Sequence, residues 1–119
     1  MYASARKLPN VEVLNELFTV DPSSPSGLTW RVNRTGTAKA GNRAGTVSTS
    51  GTGSDFWNLS INGIRFQAHR VIWKMVNGKD PENVIDHIDG NPLNNNINNL
   101  QDITQQQNFN KKPGEIINA

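Results

Sequence analysis

Three polar side chains in the last third of the chain have the types and spacing for hydrolytic chemistry: Asp86, His87 and Asn108. A carboxylate and an amide oxygen, completed by water and phosphate oxygens, suit a hard cation such as Mg²⁺. A neutral imidazole beside them can take a proton from water, because its ordinary pKa lies near neutrality. Asp86 and His87 are neighbours in a strand-like run, so their side chains leave it on opposite faces. A helix packed over that run is needed to bring Asn108 to one of them, and Asn110 is a nearby competitor for the same place.

The elements around these residues are legible from pattern. Val84-Ile-Asp-His-Ile88 reads as a short strand and Asp89-Gly90 turns it. Asparagine then recurs at 91, 94, 95, 96, 98 and 99, interleaved by Leu93, Ile97 and Leu100. Asparagine bonds neighbouring peptide groups and tolerates left-handed backbone, so this predicts a tightly wound, self-bonded loop. Leu100–Ile103 reads as a second strand. Thr104 is placed to cap a helix through Asn110, with Lys111 and Lys112 at its end and Pro113-Gly114 stopping it. A calcium loop over Asp89–Asn94 fails for lack of the terminal Glu and the glycine register.

Upstream, Ala68, Val71, Ile72 and Met75 recur at helical spacing, which predicts an amphipathic helix over 68–77 ended by Gly78. His69, Trp73 and Val76 form an adjoining stripe, and His69 reads as a structural histidine. Arg70, Lys74 and Asn77 form a polar one, which serves either as a solvated face or as a phosphate contact. Phe56–Ile61 and Ile64–Gln67 flank Asn62-Gly63, a strong hairpin signal. With a strand at 28–32 and a weaker one near 44–48, residues 28–67 predict a small antiparallel sheet. A helix capped by Asn10, with Val11, Leu14, Leu17 and Phe18 in step, precedes it. The glycines at 41, 45, 51 and 53 lack the Gly-Lys-Ser/Thr ending of a phosphate-binding loop, so that reading is rejected. Trp30, Trp57 and Trp73 read as core, with a DNA-facing sheet as the other use of Trp57.

Composition narrows the classes. The chain has 119 residues, 34% hydrophobic and 7% aromatic, so it can build one lean core. Mean hydropathy is −0.59, and no apolar run approaches the roughly 18 residues of a membrane span. No cysteine is present, which excludes disulfides, thiolate zinc sites and a cysteine nucleophile. Met1–Asn10 has no apolar stretch, Met1–Pro9 reads as a frayed terminus, and cytoplasmic folding fits these features. The net charge of +2 conceals an asymmetry. Residues 31–79 hold eight basic groups, Arg43, Arg65, Arg70 and Lys74 among them, against Asp55 alone. Residues 80–119 carry a net of −4. A basic middle is the footprint of a polyanion binder, and the acidic segment beside it makes sense if a cation lies between them.

Ile85-Asp86-His87-Ile88-Asp89-Gly90-Asn91, followed by Asn99-Leu100, Thr104 and Gln107-Asn108, resembles the ββα-metal (His-Me finger) core of phage-type HNH endonucleases, homing endonucleases included. Ala68–Trp73 is similar to the segment that precedes this core, so the resemblance covers residues 68–112. Asn99 follows His87 by 12 residues, and Asn108 follows Asn99 by 9. The upstream half resembles, less specifically, the small DNA-binding sheets of the plant ethylene-response type. The resemblance implies an α+β protein: a small N-terminal sheet with helix and a bridging helix over 10–79, the nuclease core over 80–112, and a tail over 113–119. It implies His87 as general base, Asp86 and Asn108 as ligands of one Mg²⁺ or Mn²⁺ without structural zinc, and Asn99 as the residue that holds the loop orienting His87. It implies double-stranded DNA as partner, and a monomer or homodimer acting in a host cytoplasm if phage-encoded; the basic residues read as candidates to grip that DNA are Arg43, Arg65, Arg70, Lys74, Lys111 and Lys112. The class-different alternative is a non-catalytic DNA-binding module, and a third is a colicin-like or RNA-directed nuclease on the same core.

Overall fold

The computed structural model describes residues 7–49 and 55–117. The expected glycines 51 and 53 and the Met1–Arg6 terminus lie outside the described residues. Among the described residues the fold is α+β, built from two small antiparallel sheets, a hairpin, three α-helices and one short 3-10 turn.

Helix α1 (Val11–Leu17) buries Leu14 and stops one residue earlier than its apolar spacing suggests. Phe18 instead opens β1 (Phe18–Val20), which pairs antiparallel with β2 (Leu28–Trp30). The β1 strand carries no turn signal before it, so it is invisible to periodicity. What defines it is pairing, with Phe18 opposite Trp30 and their rings 4.7 Å apart. The single sheet expected over 28–67 is therefore two. The second holds β3 (Thr46–Ser48), β4 (Phe56–Ile61) and β5 (Ile64–Gln67) in that order. An isolated bridge pairs Thr29 of β2 with Arg43, in the segment that leads into β3. Between β4 and β5, Asn62 and Gly63 take φ of 52° and 82°, the paired left-handed geometry of a two-residue hairpin turn.

Helix α2 (Ala68–Asn77) follows β5 without a loop and ends where Gly78, at φ 79°, donates its N–H to the Lys74 carbonyl. Its buried residues are Ala68, His69, Val71, Ile72 and Lys74, so the expected apolar stripe is the packed one. One hydrophobic cluster joins Leu14, Phe18, Leu28 and Leu59 from the first half to Val71, Ile72, Ile85 and Leu100. The two halves thus share a core. Strands β6 (Val84–His87) and β7 (Leu100–Ile103) form the hairpin, and α3 (Gln105–Asn110) follows, with Thr104 and Gln107 exchanging the two bonds of a capping box.

The chain beyond α3 returns to the hairpin. Gly114 N–H reaches the Ile88 carbonyl at 2.8 Å, and Ile117 N–H reaches Gln101 Oε1 at 2.8 Å. The segment expected as a tail is tied to β7 as far as residue 117.

Candidate active site

The β6–β7 register sets Asp86 opposite Gln101 and His87 opposite Leu100. Asp86 is buried, and Gln101 Nε2 donates to its Oδ2 at 2.9 Å. The Lys111 ammonium lies 3.4 Å from the same oxygen. Helix α3 brings Asn108 to the same cleft, about 520 Å³ in volume, that Asp86, His87 and His69 line. Asn110 is exposed and does not line it. The structure therefore gathers the carboxylate, the imidazole and the first of the two competing amides.

The loop between the strands is wound as its composition predicts. Asp89 Oδ1 accepts from Asn91 N–H, Asn91 Oδ1 from Leu93 N–H, Asn94 Oδ1 from Asn96 N–H and Asn96 Oδ1 from Asn98 N–H. Each is a side chain closing a turn on the backbone two residues on. Asn99 closes the loop at its base: its Oδ1 accepts from Asp89 N–H, and its amide donates to Asp89 Oδ1 and the Asn94 carbonyl. Asn94 chiefly, with the other donors, holds the Asp89 carboxyl below the ordinary carboxylate range. Trp57, buried in the core, pins the loop from outside with a 3.2 Å bond from its indole N–H to the Leu93 carbonyl.

What touches His87 is Asn95, which sequence reasoning left undistinguished in the asparagine run. His87 Nε2 and Asn95 Oδ1 are 2.8 Å apart. Asn95 is buried and donates its Nδ2 to the Ser26 carbonyl at 3.1 Å, so its oxygen is the acceptor and His87 Nε2 carries the proton. The neutral ring therefore has its lone pair on Nδ1, the tautomer a base needs. Burial lowers the His87 pKa from the usual 6.5, against the opposing effects of Asn95, Asp86 and Asp89. The approach of Asn95 to Ser26 depends on Gly27. A Cβ there would lie 2.7 Å from Ile72 Cδ1 and 3.2 Å from Asn95 Cβ. Gln101 was also missed, because its role exists only through the strand register.

His69 packs edge-to-face on His87, with ring centres 4.8 Å apart. Burial above all, then His87 and Arg70, push its pKa down to about 3, so it is neutral beside the base. Its Nδ1 is buried without a hydrogen-bond partner among the described residues, so the expectation of a satisfied histidine fails at that atom.

The basic residues divide. Arg43 and Arg65 are exposed, and Arg43 lies over the Trp57 ring at 5.5 Å. Lys112 is exposed. Arg70 is half-buried and donates to the Asn83 carbonyl. Lys74, expected on a polar face, is buried and paired with Asp80 at 2.6 Å, because its stem lies on the packed side of α2. Lys111 is likewise turned inward onto Asp86. Neither ammonium is presented to a phosphate in this arrangement.

The donor set fits a hard divalent ion. Among the described residues, both polar contacts of Asp86 fall on Oδ2, and the Asn108 side-chain amide makes no hydrogen bond. No group of three His, Cys, Asp or Glu residues is placed to cage a metal among those residues. Two oxygens on an open cleft suit an ion that keeps much of its shell for water and substrate, and do not suit a closed zinc site.

Residues 66–109 match the family model described as HNH endonuclease, a span running from the end of β5 to α3. No curated protein and no solved structure matches the chain.

Proposed function

We propose that the HNH-type endonuclease segment at residues 66–109 is a ββα-metal core that hydrolyses DNA phosphodiester bonds with one divalent ion, Mg²⁺ or Mn²⁺, held by Asp86 and Asn108. The observation that carries this reading is the convergence of Asp86, His87 and Asn108 on one cleft, with the His87 tautomer fixed by Asn95. When bound, such an ion supplies stabilisation of the charge that builds on the phosphate and the leaving oxygen. His87 Nδ1 takes the proton of a water aimed at phosphorus, in line with the 3′ oxygen. The departing 3′ oxygen takes a proton from solvent water, so the products are a 5′ phosphate and a 3′ hydroxyl. Asn95 and the edge of His69 keep the imidazole in place, and Asn99 keeps the loop that carries Asn95. Exposed Arg43, Arg65 and Lys112 would meet the phosphate backbone outside the cleft, giving strongly salt-dependent binding. One site per monomer cuts one strand per event, whereas a dimer can cut both.

The test is end-group mapping on a labelled duplex incubated with the protein and Mg²⁺ or Mn²⁺. The reading predicts metal-dependent cuts that polynucleotide kinase labels only after phosphatase treatment, the mark of 5′ phosphates. Fragments with 5′ hydroxyl ends would refute the in-line direction. Binding without cutting in either metal would favour the non-catalytic DNA-binding module.

A further inference from the structure

We propose that Lys111 is a built-in counter-cation for Asp86: it holds the carboxylate in place without metal, and competes with a divalent ion for it. The inference rests on the metal-site reading above and deepens it. Lys111 and Asp86 are buried together, with side chains only 5% and 10% exposed. A buried carboxylate without a cation is costly, and an ammonium 3.4 Å away offsets that cost. The ammonium is itself anchored, 3.3 Å from the Ile88 carbonyl and 3.0 Å from the Lys112 carbonyl, so it is not a swinging surface lysine. Both it and Gln101 Nε2 address Oδ2, which leaves Oδ1 for a ligand. A divalent ion taken up on Oδ1 would share the carboxylate with a fixed positive charge. Their mutual repulsion weakens its binding, while the same lysine keeps the site preformed. Lys111 is thus a positioning residue with a cost in metal affinity.

The sign of that cost makes the proposal testable, since loss of a merely structural lysine does not tighten metal binding. Mn²⁺ is titrated calorimetrically into the full chain and into Lys111→Met, with thermal melts in EDTA and in saturating Mn²⁺. Lys111→Met should bind Mn²⁺ about tenfold more tightly, the order expected when one charge at short range is removed. It should also melt lower than wild type in EDTA and recover most of the gap in Mn²⁺. Lys111→Arg, which keeps the charge, should bind as wild type does. If Lys111→Met does not fold without metal, Lys111→Gln keeps a polar stem without the charge and should show the same tightening. Equal or weaker Mn²⁺ binding by the neutral variants overturns the proposal while the metal site stands. Asp86→Asn separates the two ideas: if it binds Mn²⁺ as well as wild type, or if wild type binds none, the metal-site reading falls and the proposal with it.

Discussion

At the residue scale, the account turns on how a histidine is made into a base. Asn95 donates to Ser26 and accepts from His87, so its Oδ1 fixes the proton on Nε2. Asn95→Ala leaves a buried N–H and a buried carbonyl without partners, which should cost about 1–3 kcal/mol in denaturant melts. It should also lower kcat by about tenfold or more with KM little changed, since the ring loses its fixed tautomer. Rescue by Asn95→Gln would argue against so tight a geometric requirement. The pH profile follows from the lowered His87 pKa. The neutral ring is the working form, so kcat/KM should rise with pH through a midpoint below 6.5 and then level off. A continued rise above neutrality would show that another group limits the rate. That Asp86, His87 and Asn108 meet at one cleft was legible because residue type and spacing both pointed to it. Asn95 was not, because one of six asparagines in a run cannot be told from its neighbours until the loop is wound. Gln101 was illegible for a related reason: only the β6–β7 register puts it opposite Asp86.

At the element scale, the Asp21–Gly27 turn of the N-terminal half reaches into the site. Gly27 takes φ 87°, and any Cβ there meets Ile72 and Asn95. Gly27→Ala should therefore destabilise the fold by about 1–3 kcal/mol through strain and overpacking. It should also slow cleavage by displacing Asn95. Gly36→Ala is the control, since it has φ 67° but open space around it. Melts and rates of the two variants compared at one temperature test the argument, and equal effects would refute it. Elements with a strong local signal were readable nearly to the residue: β4, the Asn62-Gly63 turn, β5, α2, β7 and α3. Elements defined by partners were not. Strand β1 has three residues and no flanking turn residue on its helix side, and Lys74 and Lys111 face inward because of packing that charge patterning does not reveal.

At the scale of the whole molecule, one lean core joins the N-terminal sheets to the hairpin that carries the cleft of Asp86, His87 and Asn108. Two neutral histidines in ring contact lie at that cleft. His69 has a folded pKa near 3 against 6.5 in the unfolded chain, so the unfolded state binds more protons between those values. Its contribution to stability is complete above pH 6.5 and is lost as pH falls toward 3. His69→Phe should therefore show a smaller fall in Tm between pH 7 and pH 5 than wild type, since about 1.5 pH units of that interval lie below 6.5. An identical fall would mean that His69 is not held neutral. The central claim, that this cleft is a hydrolytic site with His87 as its base, meets its most direct test in supercoiled plasmid relaxation. Wild type and His87→Ala are compared in Mg²⁺ and in EDTA, with DNA binding measured alongside. The account predicts relaxation or linearisation by wild type in Mg²⁺ only. It predicts a loss of about 10²–10⁴-fold in His87→Ala with binding retained. Equal cutting by the two proteins, or binding by both with no cutting, would contradict it.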